Sequence, residues 1–205
     1  MSNEETPDGQ IGEALLMMVV KDQAADIIQG GTLSLPCLPK VQPLPDVQSQ
    51  KLVDQLAQLV KMIDDLLNQE QTFNDQIDGL ARLGDKTIFP KLVEGVFNDG
   101  QISWGRIIVL FCTVGKLAVK MVLANLPGVF SEILDSCLDF FRMKLLVWIL
   151  NMGGWINSIS ALTQFSIEHV SVSSFCTIMS AEHVVAFVCG LLLGSAIFWK
   201  LSRNC

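Results

Sequence analysis

The chain has 205 residues, half of them hydrophobic, and a formal net charge of −7 at pH 7. One compact domain is the default at this length, because two domains would each be small for so large an apolar fraction. The acidic balance and the lack of lysine and arginine clusters argue against a nucleic-acid partner, whose phosphates require such clusters.

The N-terminal half is predicted to be helical, with one long loop. Residues 1–9 are polar and expected to be mobile, and apolar positions at three- and four-residue steps predict a helix from Gln10 to Gln29. Prolines exclude helix from residues 30–46, which we expect to be an irregular loop. Three amphipathic helices follow: Val47 to about Asn68, Thr72 to Leu83, and Thr87 to Phe97. Ser103 is then a good N-cap for the next helix.

The middle of the chain, Trp104 to Trp148, predicts a helical hairpin with an almost wholly apolar first arm. Ile107–Leu126 has two lysines as its only charges, so it is long and apolar enough to cross a bilayer or to lie at the centre of a bundle. Pro127 and Gly128 break this helix, and a second arm of mixed character runs to Leu150.

The C-terminal quarter is predicted to end in a membrane anchor. Gly153 and Gly154 break the chain, a helix runs from Trp155 to about His169, and residues 170–180 form a linker. Residues 181–201 are then long enough for a transmembrane tail helix with polar residues at both interfaces. Its apolar positions include Val184, Phe187, Leu192, Ile197 and Trp199. Because no period-two strand pattern is sustained anywhere, the fold class is all-α.

Cysteines, histidines and glycines provide no catalytic or metal-binding pattern. Six cysteines are scattered singly, which is typical of reduced core thiols in a cytosol-facing protein. The two histidines lie far apart in sequence and have no second ligand at helical spacing, so we expect no metal and no cofactor. No phosphate-binding loop or nucleophile motif is present, so the residues support no enzymatic reaction.

Two stretches resemble homology motifs of the Bcl-2 family of apoptosis regulators. The first begins FNDGQISWGRIIVLF at Phe97, and the second is KLLVWILNMGGWINSI from Lys144. Their characteristic residues are Trp104, Gly105 and Arg106 in the first motif and Trp148, Ile149, Gly154 and Trp155 in the second. The stretch LDFFR at Leu138 and the ending IFWK are closer to the Bax-like members than to the survival members. Packing is the simpler interpretation of Trp104, and Gly105 is expected to allow a close helix contact.

A third stretch resembles the family's death motif, four apolar residues on one helix face with an aspartate after the third. Leu56, Val60, Ile63 and Leu67 have spacings of four, three and four, and Asp65 occupies the acidic place. The resemblance implies that this face fills the groove of a partner while Asp65 pairs with Arg106 at the groove's rim. An ordinary core-facing helix is the simpler interpretation, and both hold if the helix can leave the core. Asp64 departs from the family, which has a small residue there. We expect Asp64 to crowd a close helix contact in a partner's groove. Solvation on the helix surface explains the Asp64–Asp65 pair of carboxylates more simply than acid–base chemistry does.

The resemblance implies a bundle of eight or nine helices around the hairpin, with the C-terminal helix as a transmembrane tail. It implies a pro-apoptotic effector in the cytoplasm and mitochondrial outer membrane, which oligomerises and permeabilises that membrane. Its partners would be other family members, further copies of itself and outer-membrane lipid. Two alternatives stay open. One is a survival-type member that sequesters death-motif helices, and the other is a toxin-like domain inserting at acid pH, for which two histidines are a weak trigger.

Overall fold

Helices make up all the regular structure in the part of the chain that the computed structural model describes, residues 6–28, 36–97 and 99–159. The helices are α1 Pro7–Ile28, α2 Val47–Gln69, α3 Gln71–Ala81, α4 Ile88–Val96, α5 Trp104–Leu123, α6 Pro127–Phe140 and α7 Leu146–Asn151. A π-helical turn, Phe141–Leu145, joins α6 to α7, and residues 155–159 are also helical. The all-α class is therefore confirmed for the described residues, and the further helices that were predicted lie outside them.

Helix α5 is the centre of the bundle. Ser103 caps it as predicted, because its side chain accepts a hydrogen bond from the Arg106 backbone N–H. Every residue from Ile107 to Val119 is buried, and α1, α2, α3, α4 and α6 all contact this helix. Of the two predicted environments for this stretch, the structure therefore shows the bundle centre. Among the described residues, no helix combines the length and the apolar character needed to cross a membrane.

Helix α1 begins earlier than its hydrophobic pattern indicates. Pro7 takes the first helical position, where its missing N–H costs nothing and its fixed φ suits the helix. The Thr6 hydroxyl accepts a hydrogen bond from the Gly9 N–H at 3.2 Å, which caps the helix. The helix therefore includes residues 7–9, which the hydrophobic pattern left outside it.

The second arm of the hairpin is one helical rod with a π-helical turn inside it. Helix α6 starts at Pro127, as the proline break predicted, and α7 ends at Asn151 before the glycine pair. The π turn was not predicted, and it places fully buried Phe141 against Gly12 of α1. A π turn adds a residue to one helical turn and so shifts which side chains face inward.

The remaining predictions are partly covered by the structure. Residues 36–46 form no helix, and half-buried Leu38, Val41 and Leu44 of this loop pack on the core. The rest of the loop, the helix predicted beyond residue 159, the linker 170–180 and the tail anchor 181–201 lie outside the described residues. The anchor residues Val184, Phe187, Leu192, Ile197 and Trp199 are therefore outside them too.

Candidate functional site

The death-motif face of α2 forms part of the hydrophobic core. Asp46 starts this helix by accepting a hydrogen bond from the Ser49 N–H at 2.7 Å. Leu56, Val60 and Leu67 are 1%, 2% and 4% exposed, and Ile63 is half-buried. In this state the face packs on α1 and α5, so it is not presented to a partner.

Asp65, the acidic residue of the motif, lies on the outside of α2. Its side chain is exposed, and its backbone carbonyl accepts a hydrogen bond from the Gln69 side chain at 3.2 Å. Two exposed apolar side chains, Met62 and Leu66, lie beside it. The motif thus divides into a buried apolar row and an acidic position in solvent.

Arg106, the predicted groove cation, is engaged by a carboxylate of its own chain. Its guanidinium forms a two-pronged contact with Asp99, in which Nη2 lies 2.8 Å from Oδ2 and Nη1 contacts Oδ1. Nη1 also donates to the Gln101 carbonyl at 2.7 Å. Arginine prefers such planar, bidentate contacts with carboxylates. The Arg106 guanidinium is therefore held in a carboxylate-binding geometry near the start of α5.

This ion pair shifts the two pKa values in opposite directions, and both shifts favour the charged form of the residue. The hydrogen bond from Arg106, followed by one from the Gln101 backbone N–H, holds the pKa of Asp99 well below its usual range. The hydrogen bond to Asp99 raises the pKa of Arg106. The sequence analysis did not predict this contact.

The first and second homology motifs meet through their tryptophans. The ring centroid of Trp104 lies 5.0 Å from that of Trp148 and 5.3 Å from that of Trp155. Edge-to-face and tilted pairs at these separations stabilise aromatic clusters beyond simple burial. Gly105 makes no such contact: a Cβ there would have no described neighbour within 4 Å. The expectation that Gly105 allows a close helix contact is therefore wrong within the described chain.

The second motif is attached to the start of α1. Trp155 is fully buried, and its backbone N–H donates to Asp8 Oδ1 at 2.8 Å. Gly154 has φ +82°, and a Cβ there would lie 2.7 Å from Asp8 Oδ1. Ile149 is fully buried in the core. The glycine pair ends α7, as predicted, and Gly154 also permits close approach of α1.

Asp64 was wrongly interpreted as a solvated surface residue. It is 7% exposed and faces α5, where its Oδ1 lies 3.0 Å from the Lys116 Nζ. The Asn68 side chain donates to Asp64 Oδ2 at 3.1 Å, and Lys116 also hydrogen-bonds the Asn68 amide oxygen. The helical period would have found it, since Asp64 is four residues after Val60 and three before Leu67.

The Cys112 thiol, beside this cluster, is fully buried. Burial, followed by the charge of Asp64, raises the pKa of the Cys112 thiol well above its ordinary value. Cys37, Cys112 and Cys137 are all free thiols, and the other three cysteines lie outside the described residues. In the described ranges, no group of three histidine, cysteine or acidic side chains is placed to hold a metal ion.

The geometry defines a class of protein: an all-helical bundle in which a buried central helix, α5, is covered by the helices around it. A family model described as "Apoptosis regulator proteins, Bcl-2 family" matches residues 49–155. The chain belongs to the Bcl-2 family, which confirms the resemblance of its motifs.

Comparison with relatives extends the similarity over nearly the whole chain. The apoptosis regulator BAX of the mouse (Mus musculus) is 28% identical over 189 residues, which cover 92% of this chain and 87% of BAX. The crystal structure of chicken BOK covers 80% of this chain and 98% of the BOK chain, with a TM-score of 0.57 and 18% identity. Trichoplax adhaerens trBcl-2L2 bound to trBak BH3 covers 73% of this chain and 97% of that chain, with a TM-score of 0.53 and 18% identity. The two structures share the fold of this protein.

Proposed function

We propose that this protein is a pro-apoptotic effector, similar to BAX, that oligomerises and permeabilises the mitochondrial outer membrane. The observation that carries the proposal is the position of α2. Its death-motif residues Leu56, Val60 and Leu67 are core residues, so they reach a partner's groove only if α2 leaves α5. The similarity to BAX over 92% of the chain supports the same assignment.

In this mechanism, activation exchanges one set of apolar contacts for another. An activating death-motif helix displaces α2, and the apolar surface exposed on α2 and α5 is reburied in a second molecule and in lipid. Packed cores have discrete arrangements rather than continuous deformations, so the change is a switch between two states. The tail predicted at residues 181–201 would anchor the protein, taking it from the cytoplasm to the outer membrane.

In the dimer, the Asp65 carboxylate of one molecule takes the place of Asp99 on Arg106 of the other. The Asp65 side chain is exposed and has no hydrogen bond or ion pair with another described residue, so none is broken when α2 moves. The bidentate contact between Arg106 and Asp99 shows that this guanidinium can bind a carboxylate. The exposed, open surface at Gly105 leaves room for a helix beside it.

A survival-type function, in which the protein sequesters death-motif helices without forming pores, is the second candidate. The neighbouring Trichoplax adhaerens structure favours it, since that protein is bound to trBak BH3. The same observation supports partner binding by the effector, because both functions require a groove that accepts a helix of another family member.

Dye release separates the two functions. The full chain would be added to liposomes of phosphatidylcholine, phosphatidylethanolamine and cardiolipin filled with fluorescent dextrans, with and without a peptide of residues 47–69. We expect release that depends on the peptide. The matched control is the peptide with Leu56→Glu, which disrupts the apolar row. Tight peptide binding without release, together with protection of liposomes against a pore-forming relative, would contradict the effector function and establish the survival function.

A further inference from the structure

A charged residue lies in the middle of the apolar face that α2 buries. Val60, Asp64 and Leu67 are on the same side of the helix, and each is at most 7% exposed. Any movement that carries Val60 and Leu67 into another groove therefore carries Asp64 with them. Asp65 differs from Asp64 in this respect, because Asp65 is exposed and lies away from that row.

The charge of Asp64 is balanced by one cation on the central helix. Lys116 Nζ lies 3.0 Å from Asp64 Oδ1 and 3.2 Å from Oδ2, and the two side chains are each 10% exposed. Asn68, one turn further along α2, hydrogen-bonds both members of the pair. The cluster spans the α2–α5 interface, with its acid, Asp64, on α2 and its base, Lys116, on α5.

Separating the helices leaves two charges that each need a partner. Burying a carboxylate or an ammonium group without its counter-ion costs far more than burying an apolar side chain. In a receiving groove, Asp64 requires a cation, and the lysine left on α5 requires an anion if another helix covers it. A groove with only apolar residues at this contact is therefore a poor acceptor for this α2.

We propose that Asp64 selects the partner, and that the partner it selects is a second copy of this chain. When two copies exchange α2 helices, each Asp64 enters a groove in which the departing α2 has left Lys116 unpaired. A two-fold symmetric dimer repeats the contact, so one exchange satisfies all four charges. This inference rests on the proposed function, in which α2 leaves α5 and docks in another molecule.

Asp64 favours the right partner by attraction to its lysine and disfavours a wrong partner by the cost of burying an unpaired carboxylate. Pairing of an aspartate such as Asp65 with a groove arginine is open to any family member that carries both groups. Asp64 adds a second requirement, a cation at the position of Lys116. A groove without that cation binds this α2 poorly, because the carboxylate would be buried unpaired. Specificity between related partners depends on such differences in affinity, including repulsive ones. Homodimers are therefore favoured over mixed dimers with relatives that have no cation at this place.

A charge-complementation experiment tests the exchange in the full chain. The variants Asp64→Lys and Lys116→Asp each place two like charges at the contact, both within one molecule and between identical molecules. In a mixture, each α2 meets the opposite charge in the other variant. Dimers formed on liposomes after addition of the 47–69 peptide would be cross-linked, with one variant isotopically labelled. We expect the mixture to give at least about tenfold more dimer than either variant alone, and that dimer to be mainly mixed, because only the mixed dimer removes the like-charge contact that both monomers and both homodimers contain.

A neutral pair of substitutions tests the same idea without burying like charges. The double variant Asp64→Asn/Lys116→Met leaves no charge at the contact, so neither its monomer nor its homodimer buries an unpaired charge there. Mixed with wild type, it forms heterodimers that bury one unpaired Asp64 and one unpaired Lys116. We expect the two proteins to sort into homodimers, with heterodimers well below the share given by random pairing. Circular dichroism and thermal unfolding would establish that each variant is folded.

The outcomes separate this inference from the function on which it rests. Wild-type protein that dimerises, together with random pairing in the neutral mixture and no excess of mixed dimers in the charged mixture, would overturn partner selection alone. Wild-type protein that forms no dimers would overturn the proposed effector function, and partner selection with it.

Discussion

The Trp155 indole Nε1 donates a hydrogen bond to the backbone carbonyl of Asp8, 2.9 Å away and 147 positions earlier in the chain. A second bond, from the Trp155 backbone N–H to Asp8 Oδ1, adds to it at 2.8 Å. These contacts attach the second homology motif to the first turn of α1. They also explain the glycine before Trp155, since any larger residue there would collide with the Asp8 carboxylate.

Replacing Gly154 by alanine is expected to destabilise the fold by about 1–3 kcal/mol. The new Cβ would lie 2.7 Å from Asp8 Oδ1, and φ of +82° is unfavourable for alanine. Asp8 cannot turn away without losing its bond to Trp155. Urea unfolding of both proteins would measure the difference.

Gly128→Ala is the matched control for this substitution. A Cβ at Gly128 has no described neighbour within 4 Å, and the residue lies in the first turn of α6. Alanine there should leave stability unchanged or raise it by up to about 1 kcal/mol. Equal free energies of unfolding for the two variants would contradict the packing argument.

The contact between α1 and the π turn gives a second stability prediction. A Cβ on Gly12 would lie 2.1 Å from Phe141 Cζ, and Phe141 is fully buried. Gly12→Ala should therefore cost about 1–3 kcal/mol through overpacking. Replacing the Phe141 ring by the shorter side chain of leucine should remove part of that cost. The double variant should therefore lose less stability than the sum of the two single losses. Strict additivity in thermal unfolding would show that the two residues do not compete for space.

The ion pair between Glu13 and Arg142 gives a third prediction. Arg142 Nε lies 2.7 Å from Glu13 Oε1, and the Glu13 side chain is only 3% exposed. Arg142→Met should destabilise the protein by about 2–3 kcal/mol, because it leaves a buried carboxylate without this cation. Asp139→Asn is the control. Asp139 is 74% exposed and 4.0 Å from Arg142, so its loss should change stability by less than about 0.5 kcal/mol. Similar losses in both variants, measured by denaturant unfolding, would contradict this assignment.

Signals carried by neighbouring residues predicted much of the fold. The periodicity of α2 to α4, the Ser103 cap and the break at Pro127 all depend on residues within a few positions of one another. Such signals predict the folded structure because the local preferences of a natural sequence agree with its overall fold. They also predicted that Leu56, Val60 and Leu67 share a face.

The parts that sequence reasoning missed depend on contacts between distant residues. Asp64 and Lys116 are 52 positions apart, and Glu13 and Arg142 are 129 positions apart. No pattern within one helix shows that a cation on another helix will neutralise a buried acid. The π turn was also missed, and the contact of its Phe141 with Gly12 again joins residues far apart in the chain.

The Asp99–Arg106 pair gives a prediction about pH. The pKa of Asp99 is lowered in the folded protein, chiefly by the hydrogen bond from Arg106. A lowered carboxyl pKa stabilises the fold above the unfolded value of about 3.9, and this stabilisation is lost as the pH falls through the folded pKa. The pair is therefore complete at neutral pH and breaks only in acid.

An NMR titration of the Asp99 carboxyl would measure this shift. In Arg106→Met, the pKa of Asp99 should rise towards its ordinary value but remain below it, because the Gln101 backbone N–H still donates to Asp99 Oδ1. Asp85 is the internal control. Its pKa is lowered by hydrogen bonds from Thr87, so it should not respond to the substitution. An unchanged Asp99 pKa would show that Arg106 does not hold this carboxylate in solution.

Three substitutions around Arg106 should change dimer formation, two by weakening the dimer and one by strengthening it. Asp65→Ala and Arg106→Ala each remove one partner of the proposed intermolecular pair, so each should weaken the dimer by roughly 1–3 kcal/mol. Asp99→Asn removes the carboxylate that competes for Arg106 within the chain. It should therefore strengthen the dimer, by up to about 1 kcal/mol because the site is exposed.

Cross-linking on liposomes, with the 47–69 peptide added, would give the dimer dissociation constants for all of these proteins. Asp54→Ala is the matched control, since Asp54 is another exposed acid of α2 and its side-chain contact is with Gln50 of the same helix. It should bind as wild type does. Undiminished dimerisation in both alanine variants would remove the pairing of Asp65 with Arg106. A weaker dimer in Asp99→Asn would show instead that Asp99 holds Arg106 in the orientation that the partner needs, and that it does not compete with Asp65.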